Sequence, residues 1–258
     1  MDHLIIPDTQ IRPGVPLEHL VAAGNYIVEH KPEVIVQLGD WADMHSLSTY
    51  DKGTKAGEGA RYEEDIQGAI RGMETFIGAL YEYNARRARQ KLRQYKPKMV
   101  LTLGNHENRI NRHVNTYPIL HGRLSTKDLN YSLFGWEVYD FLVTVELGGI
   151  LYSHYFPRNA AGRIVQTVRG APSAATQVRR EMQSCTAGHL QGFDYSLYQT
   201  GTGRKHGLIV GSFYLHEEDY LGPQGTAYWR GMIHKHDVNN GEYDLEQVSL
   251  HRLLREYI

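Results

Sequence analysis

Cysteine is nearly absent from this sequence: Cys185 stands alone. A disulfide framework is thereby excluded, and with it any dependence of the fold on an oxidising compartment. Long apolar runs are missing as well. No stretch approaches the roughly 18 residues of a membrane span, and the opening MDHLIIPD meets an acid after a short apolar run, which does not fit a secretory segment. The expectation is a cytoplasmic chain with no membrane partner. Charge of one sign is lacking too. The formal net charge is −1, so attraction to nucleic acid or to acidic surfaces has to come from a local patch. There is no internal repeat, low-complexity tract or linker, and residues 1–258 are expected to form a single domain.

Histidine and tyrosine are plentiful, at 14 and 18 residues. Histidines suggest metal or acid–base chemistry without locating it. The apolar pattern does more. His3 to Pro7 reads as a short buried strand, Leu17 to Pro32 as a helix, and Glu33 to Asp40 as a second strand. Met44 to Tyr62 is aperiodic and rich in Gly, Lys and Ser, so it reads as a long loop. Tyr62 to Tyr95 then predicts a long helix that ends before Pro97, and Lys98 to Glu107 a third strand. This alternation is the rhythm of a parallel-type sheet covered by helices. The second half changes character. Glu137 to His154 predicts a hairpin around Gly148-Gly149. Ser184 to His189 and His206 to Tyr214 predict short strands, and the stretch from Asp237 to Leu254 two strands around Asn240-Gly241. The fold class expected is α/β (α+β), with two sheets.

Polar motifs fall just past the ends of these strands: Asp8; Asp40 and Asp43; Asn105 and His106; His154; His189. Ligands of open α/β sheets gather at such ends. Carboxylate, amide and imidazole groups suit divalent cations, and glycine precedes three of the motifs, permitting tight turns beside a crowded site.

Taken in order, Asp8-x-Gln10, Gly39-Asp40-x-x-Asp43, Gly104-Asn105-His106-Glu107, His154 and Gly188-His189-x-Gln191 resemble the five motifs of the calcineurin-like metallophosphoesterases. The resemblance runs from Asp8 to about Ser212. It implies a two-layer β-sandwich flanked by helices and two divalent cations a few ångströms apart. Asp40 would bridge them. Asp8, Gln10 and Gln191 would complete one site, and Asn105, His154 and His189 the other. His106 would be the protonated imidazole that meets the leaving-group oxygen, steered by Asp43, while a metal-bound hydroxide attacks phosphorus. Two cations neutralise phosphoryl charge, lower the pKa of water and clamp the attacking and leaving oxygens.

This sequence departs from the family pattern at Gln10 and Gln191, where histidines are usual, and both departures fall on the same metal. Random decay would scatter. The resulting shell of Asp8, Gln10, Asp40 and Gln191 is all oxygen, which favours Mn²⁺, or Mg²⁺, over Zn²⁺ or Fe²⁺. The expectation is one firm and one weak site; the alternative is a single working metal. His234 and His236 offer imidazoles as well, but no glycine precedes them, and they read as surface or hairpin histidines.

Arg109 and Arg158 are candidate phosphate ligands, because guanidinium matches phosphate oxygens in a bidentate fork; Arg112 and Asn159 are weaker ones. Arg86, Arg89 and Arg93 share a helical face that could track a nucleic-acid backbone or be an ordinary solvated surface. Tyr195, Tyr198, Tyr214, Tyr220, Tyr228 and Trp229 could stack bases, or could be half-buried strand residues. Cys185 reads as a core thiol. The favoured reading is a metal-dependent phosphodiesterase or nuclease acting on DNA or RNA, like the nuclease-type and phage-borne members of the family. The alternatives are a phosphomonoesterase on phosphoprotein or nucleotide, and a nucleic-acid-binding protein with a weakened site.

Overall fold

Three short apolar runs set the frame. β1 (His3–Ile6), β2 (Val34–Gln37) and β3 (Lys98–Thr102) lie side by side in parallel register. This computed structural model describes residues 1–50, 52–54, 57–157, 172–201, 203–217 and 228–258. β4 (Glu137–Tyr139) extends the sheet beyond β3, and the hairpin β10 (Gly231–Asn239) and β11 (Glu242–Ser249) closes its other side, giving the order β11-β10-β1-β2-β3-β4. A second sheet runs β5-β6-β7-β9-β8, from β5 (Val145–Leu147), β6 (Ile150–Ser153), β7 (Ser184–Ala187), β8 (Phe193–Thr200) and β9 (Gly203–Val210). Both sheets mix parallel and antiparallel pairs, so the chain is mixed α/β.

Alternation along β1 divides the interior. Leu4 and Ile6 pack with Leu20 and Tyr26 of α1 (Glu18–His30) and with Met73 and Phe76 of α2 (Tyr62–Arg89). Ile5 points the other way and meets Val36, Val100, Tyr152 and Leu208, so a second core fills the space between the sheets. α3 (Asn108–Thr116) follows β3, α4 (Ala174–Glu181) packs Val178 on Cys185 and Ala187, and α5 (Leu250–Tyr257) closes the chain. Cys185 is a fully buried core thiol. Among the described residues, no helix is long and apolar enough to cross a membrane.

The structure corrects several expectations. α2 stops at Arg89, and Lys91 takes a left-handed backbone (φ 56°), so Arg93 does not share its helical face. Glu137–Tyr139 leaves the predicted hairpin and pairs in parallel with β3; only Val145–Leu147 and Ile150–Ser153 form the hairpin around Gly148-Gly149. The last predicted strand ends at Ser249, whose hydroxyl accepts from the Arg252 N–H and caps α5. Tyr195 and Tyr198, for which a strand is one of the two readings, lie on β8 at the edge of the second sheet.

A candidate metal centre at the strand ends

Each motif sits where its strand stops, and backbone bonds stitch the stops together. The Asp40 carbonyl accepts from the Thr9 and Gln10 N–H groups at 3.0 and 2.8 Å. The His154 carbonyl accepts from Gly188 N–H at 3.0 Å, and the Asp8 carbonyl from Phe213 N–H at 2.7 Å. Gln10, Asp40, His189 and Gln191 all hold left-handed backbone, with φ of 45°, 52°, 67° and 58°. Such conformations are strained for side-chain-bearing residues and persist only where surroundings enforce them. Glycine is required twice by close approach. A Cβ on Gly188 would lie 2.5 Å from Asp8 Oδ1, and one on Gly39 would lie 2.6 Å from the Gly104 nitrogen.

Asp40, His154 and His189 each present one ligand atom, all within 4.8 Å of one another. His154 Nδ1–H donates to the Leu38 carbonyl at 2.7 Å, which turns Nε2 toward Asp40 Oδ2 at 3.4 Å and Asn105 Oδ1 at 2.8 Å. Fixing one imidazole nitrogen on a carbonyl so that the other faces inward is how metal-binding histidines are oriented. Asp8 Oδ1 accepts from the His189 N–H at 2.9 Å, while Asp8 Oδ2 and His189 Nε2 are buried with no hydrogen-bond partner. Buried polar atoms left this way are costly unless something else binds them. A divalent cation fits this donor set.

The acids and imidazoles of the group perturb one another strongly. Burial, then the neighbouring Asp40 carboxylate, raises the pKa of Asp8. Burial pushes Asp40 the same way, but the His106 and His154 imidazoles outweigh it and hold that carboxyl well below its usual range. His154 is opposed by burial yet brought up to about 9, chiefly by Asp40. His189, buried beside His154, is pushed down to about 3.

His106 stands at the edge of this group. Its Nδ1 donates to Asp43 Oδ1 at 2.9 Å, and its Nε2 lies 3.7 Å from Asp40 Oδ2. Burial works against its charge, but Asp40 and Asp43 raise its pKa overall. Burial lifts Asp43, while His106, Arg109 and Arg12 bring it down to about 2. Arg109 Nη1 donates to the Asp43 carbonyl at 2.7 Å, and its Nη2 lies 3.3 Å from His106 Nε2. Arg109 thus braces Asp43 and flanks the same spot as His106. Gln10 and Gln191 are both buried beside the group. The Gln191 Oε1 accepts from Tyr214 Oη at 2.8 Å, leaving that oxygen its second lone pair. Arg158 and Asn159 lie outside the described residues.

Glu107 has no role that the motif pattern assigns. It is fully buried and accepts from the N–H groups of Asp40 (3.0 Å), Ala42 (2.9 Å) and Gly104 (2.8 Å) and from Tyr131 Oη (3.2 Å). It ties the second motif to the third. The signal for it in the sequence is a glutamate in the polar turn directly after a buried strand.

A cleft of about 540 Å³ opens on Asn105 and His189 and is lined by His45, Lys52, Arg109, Arg112 and His113. The basic run before Lys98 is elsewhere. It adjoins the start of β3, whereas the site lies past the end of that strand, five residues and roughly 17 Å away at about 3.3 Å per residue. Arg87, Arg93 and Lys96 line a separate pocket there. The aromatic residues weighed as a stacking surface are dispersed as well. Tyr195 bonds His206, Tyr214 is buried on Gln191, Arg179 sits over Tyr198, and Trp229 packs on Phe193. Tyr228 is exposed and Tyr220 lies outside the described residues.

No protein-family model and no curated protein matches the chain. Thirty-seven chains of solved structures match. One of them aligns with 96% of this chain and 99% of its own length at 12% identity, with a TM-score of 0.43, a likeness too weak to argue from.

Proposed function

We propose that this chain is a metal-dependent phosphoester hydrolase of the calcineurin-like type, with phosphodiesters, nucleic acid foremost, as substrates. One observation carries the reading: the Asp40–His154–His189 group stands beside the Asp43-held imidazole of His106, and a cleft lined by Lys52, Arg109 and Arg112 reaches the group at His189. The two facing sheets with flanking helices agree with the sandwich that the resemblance implies.

Asp40, Asn105, His154 and His189 are the residues for the firm cation; Asp8, Gln10, Asp40 and Gln191 are those for the oxygen-rich one, with Mn²⁺ favoured. Cations bound there supply neutralisation of phosphoryl charge and activation of water. The protein's own groups do the rest. Asp43 holds the imidazole of His106 by Nδ1, so the proton delivered to the departing oxygen sits on Nε2. Arg109 uses one guanidinium nitrogen to brace Asp43 and presents the other beside His106 Nε2, where a phosphate oxygen would be received. Lys52 and Arg112 place positive charge along the cleft for the flanking phosphates. These residues, rather than the distant Arg86–Lys98 run, support a polyanionic substrate.

The test is hydrolysis with Mn²⁺ of bis(p-nitrophenyl) phosphate, p-nitrophenyl phosphate and labelled single- and double-stranded DNA and RNA. Diester and nucleic-acid cleavage, lost in His106→Ala, is the expected result. Preference for the monoester moves the reading to a phosphomonoesterase. No hydrolysis with any divalent metal overturns the enzymatic reading in favour of a binding protein.

A further inference from the structure

We infer that a second, structural site for a transition-metal dication of the Zn²⁺ type lies at the far side of the first sheet, held by Asp2, His234 and His236. The three ligand atoms fall within 4.8 Å of one another. Asp2 immediately precedes β1, which runs antiparallel to β10, and His234 and His236 are two apart on β10, so both rings share one face of the sheet. Asp2 Oδ2 lies 3.7 Å from His234 Nε2 and 3.1 Å from His236 Nδ1. Ligands at about 2.0–2.1 Å around a tetrahedral zinc stand roughly 3.3 Å apart, close to both distances from Asp2.

Proximity alone would describe an ion-paired histidine cluster. Three further observations separate this group from one. His234 is 1% exposed, and its Nε2, facing Asp2, has no hydrogen-bond partner. Its other nitrogen, Nδ1, is held by Tyr26 Oη at 2.8 Å, which leaves Nε2 as the nitrogen on the Asp2 side. His236 is backed in the same way: its Nε2 meets Glu246 Oε2 at 2.9 Å, and Glu246 Oε1 is gripped by Arg252 Nη1 at 2.6 Å. Each imidazole therefore has an oxygen partner behind it, and one partner is itself anchored, as in carboxylate–histidine–metal arrangements. Two imidazoles and one carboxylate, with the fourth position open to water, suit Zn²⁺ better than the oxygen-preferring Mg²⁺ or Mn²⁺. The site would cross-link the segment before β1 to β10 and, through Glu246 and Arg252, to α5. It is independent of the hydrolase reading.

The experiment is Zn²⁺ titration of chelator-stripped protein against a chromophoric competitor, with thermal unfolding alongside. Asp2 and His236 have side chains 34% exposed, so Asp2→Ala and His236→Ala should fold. The expected result is loss of one Zn²⁺ equivalent, or at least a tenfold weaker one, in each variant, while His189→Ala keeps it. Glu246→Gln should weaken the same equivalent by about 10–100-fold. Zn²⁺ should raise the Tm of His189→Ala but not of His189→Ala carrying His236→Ala. Unchanged Zn²⁺ stoichiometry and affinity in Asp2→Ala and His236→Ala would overturn the site. If Asp2→Ala does not fold, Asp2→Asn takes its place with the same two readings.

Discussion

Asp43 fixes His106 twice, with its carboxylate Oδ1 at 2.9 Å and its own carbonyl oxygen at 3.0 Å from the same Nδ1. The imidazole's Nδ1–H is thereby committed to Asp43, and Nε2, 3.3 Å from Arg109 Nη2, is the nitrogen left to face the site.

Asp43→Asn keeps an acceptor for Nδ1–H but removes the charge that helps raise the His106 pKa. The imidazolium should then deprotonate at lower pH, so the alkaline limb of the rate profile moves toward acid. His106→Ala should lose about 10²–10⁴-fold in kcat on substrates with poor leaving groups, and much less on activated aryl esters. A pH–rate series for both variants checks this; an alkaline limb unmoved in Asp43→Asn would count against the assignment.

Glu107→Gln should destabilise the fold. The two carboxylate oxygens accept from three backbone N–H groups and one hydroxyl, and an amide nitrogen in place of either oxygen turns a donor toward donors. Roughly 1–3 kcal/mol is expected. Urea unfolding measures it, and metal affinity should fall with it, because the turns carrying Asp40 and Asn105 lose their common anchor.

Calorimetric titration with Mn²⁺ should resolve unequal affinities at the strand-end centre, since one donor set carries two imidazoles and the other carries Gln10 and Gln191 in their place. Gln10→His with Gln191→His should tighten the weaker event and shift its preference toward Zn²⁺. Mn²⁺ at 100 times the Kd of the firm site should stabilise the fold by about 2.7 kcal/mol, an effect His189→Ala removes. Two equally tight Mn²⁺ events at this centre in the parent chain would contradict the asymmetry.

Lys235 offers a prediction about stability and pH. It is fully buried between Tyr152 and Tyr243, with Nζ 2.5 Å from Thr186 Oγ1, and burial drives its pKa well below the usual lysine range. The unfolded chain holds this proton up to about pH 10.4. Between the depressed folded value and that pH, the unfolded state binds more protons, so stability rises with pH and is lost as pH falls. Lys235→Met should flatten that rise. Urea unfolding at pH 7 and pH 10 compares the two chains, and parallel curves would refute it.

Much of this is legible in the sequence, for reasons that can be assigned. The buried strands β1, β2 and β3 are visible because parallel strands covered on both faces read as continuous β-branched runs. The residues at their ends are visible because a chain leaving a strand must turn, and polar groups after such turns stand out against the apolar run. Pairing partners are not visible. Glu137–Tyr139 joins the first sheet because β3 has an open edge, which no local pattern reveals. Continuation of the basic helical face as far as Arg93 fails at one residue: Lys91 adopts φ 56° and ends the helix register before Arg93 is reached. The tyrosines after the last motif escape a local reading for a similar reason. Alternation shows that a strand has two faces, but only its neighbours decide that Tyr195 meets His206 and Tyr214 meets Gln191.

The sequence by itself determined the elements and the order in which chemistry-bearing residues appear, because hydrophobic periodicity and turn residues act locally. Tertiary structure decided which of those residues meet. It brought Asp40, His154 and His189 together and gave Glu107 its anchoring place. It set the basic run at the end of β3 away from the site and buried His234 against Asp2, a residue from the opposite end of the chain. Those outcomes depend on sheet order and strand direction, which are set by the packing of whole faces rather than by any residue's near neighbours.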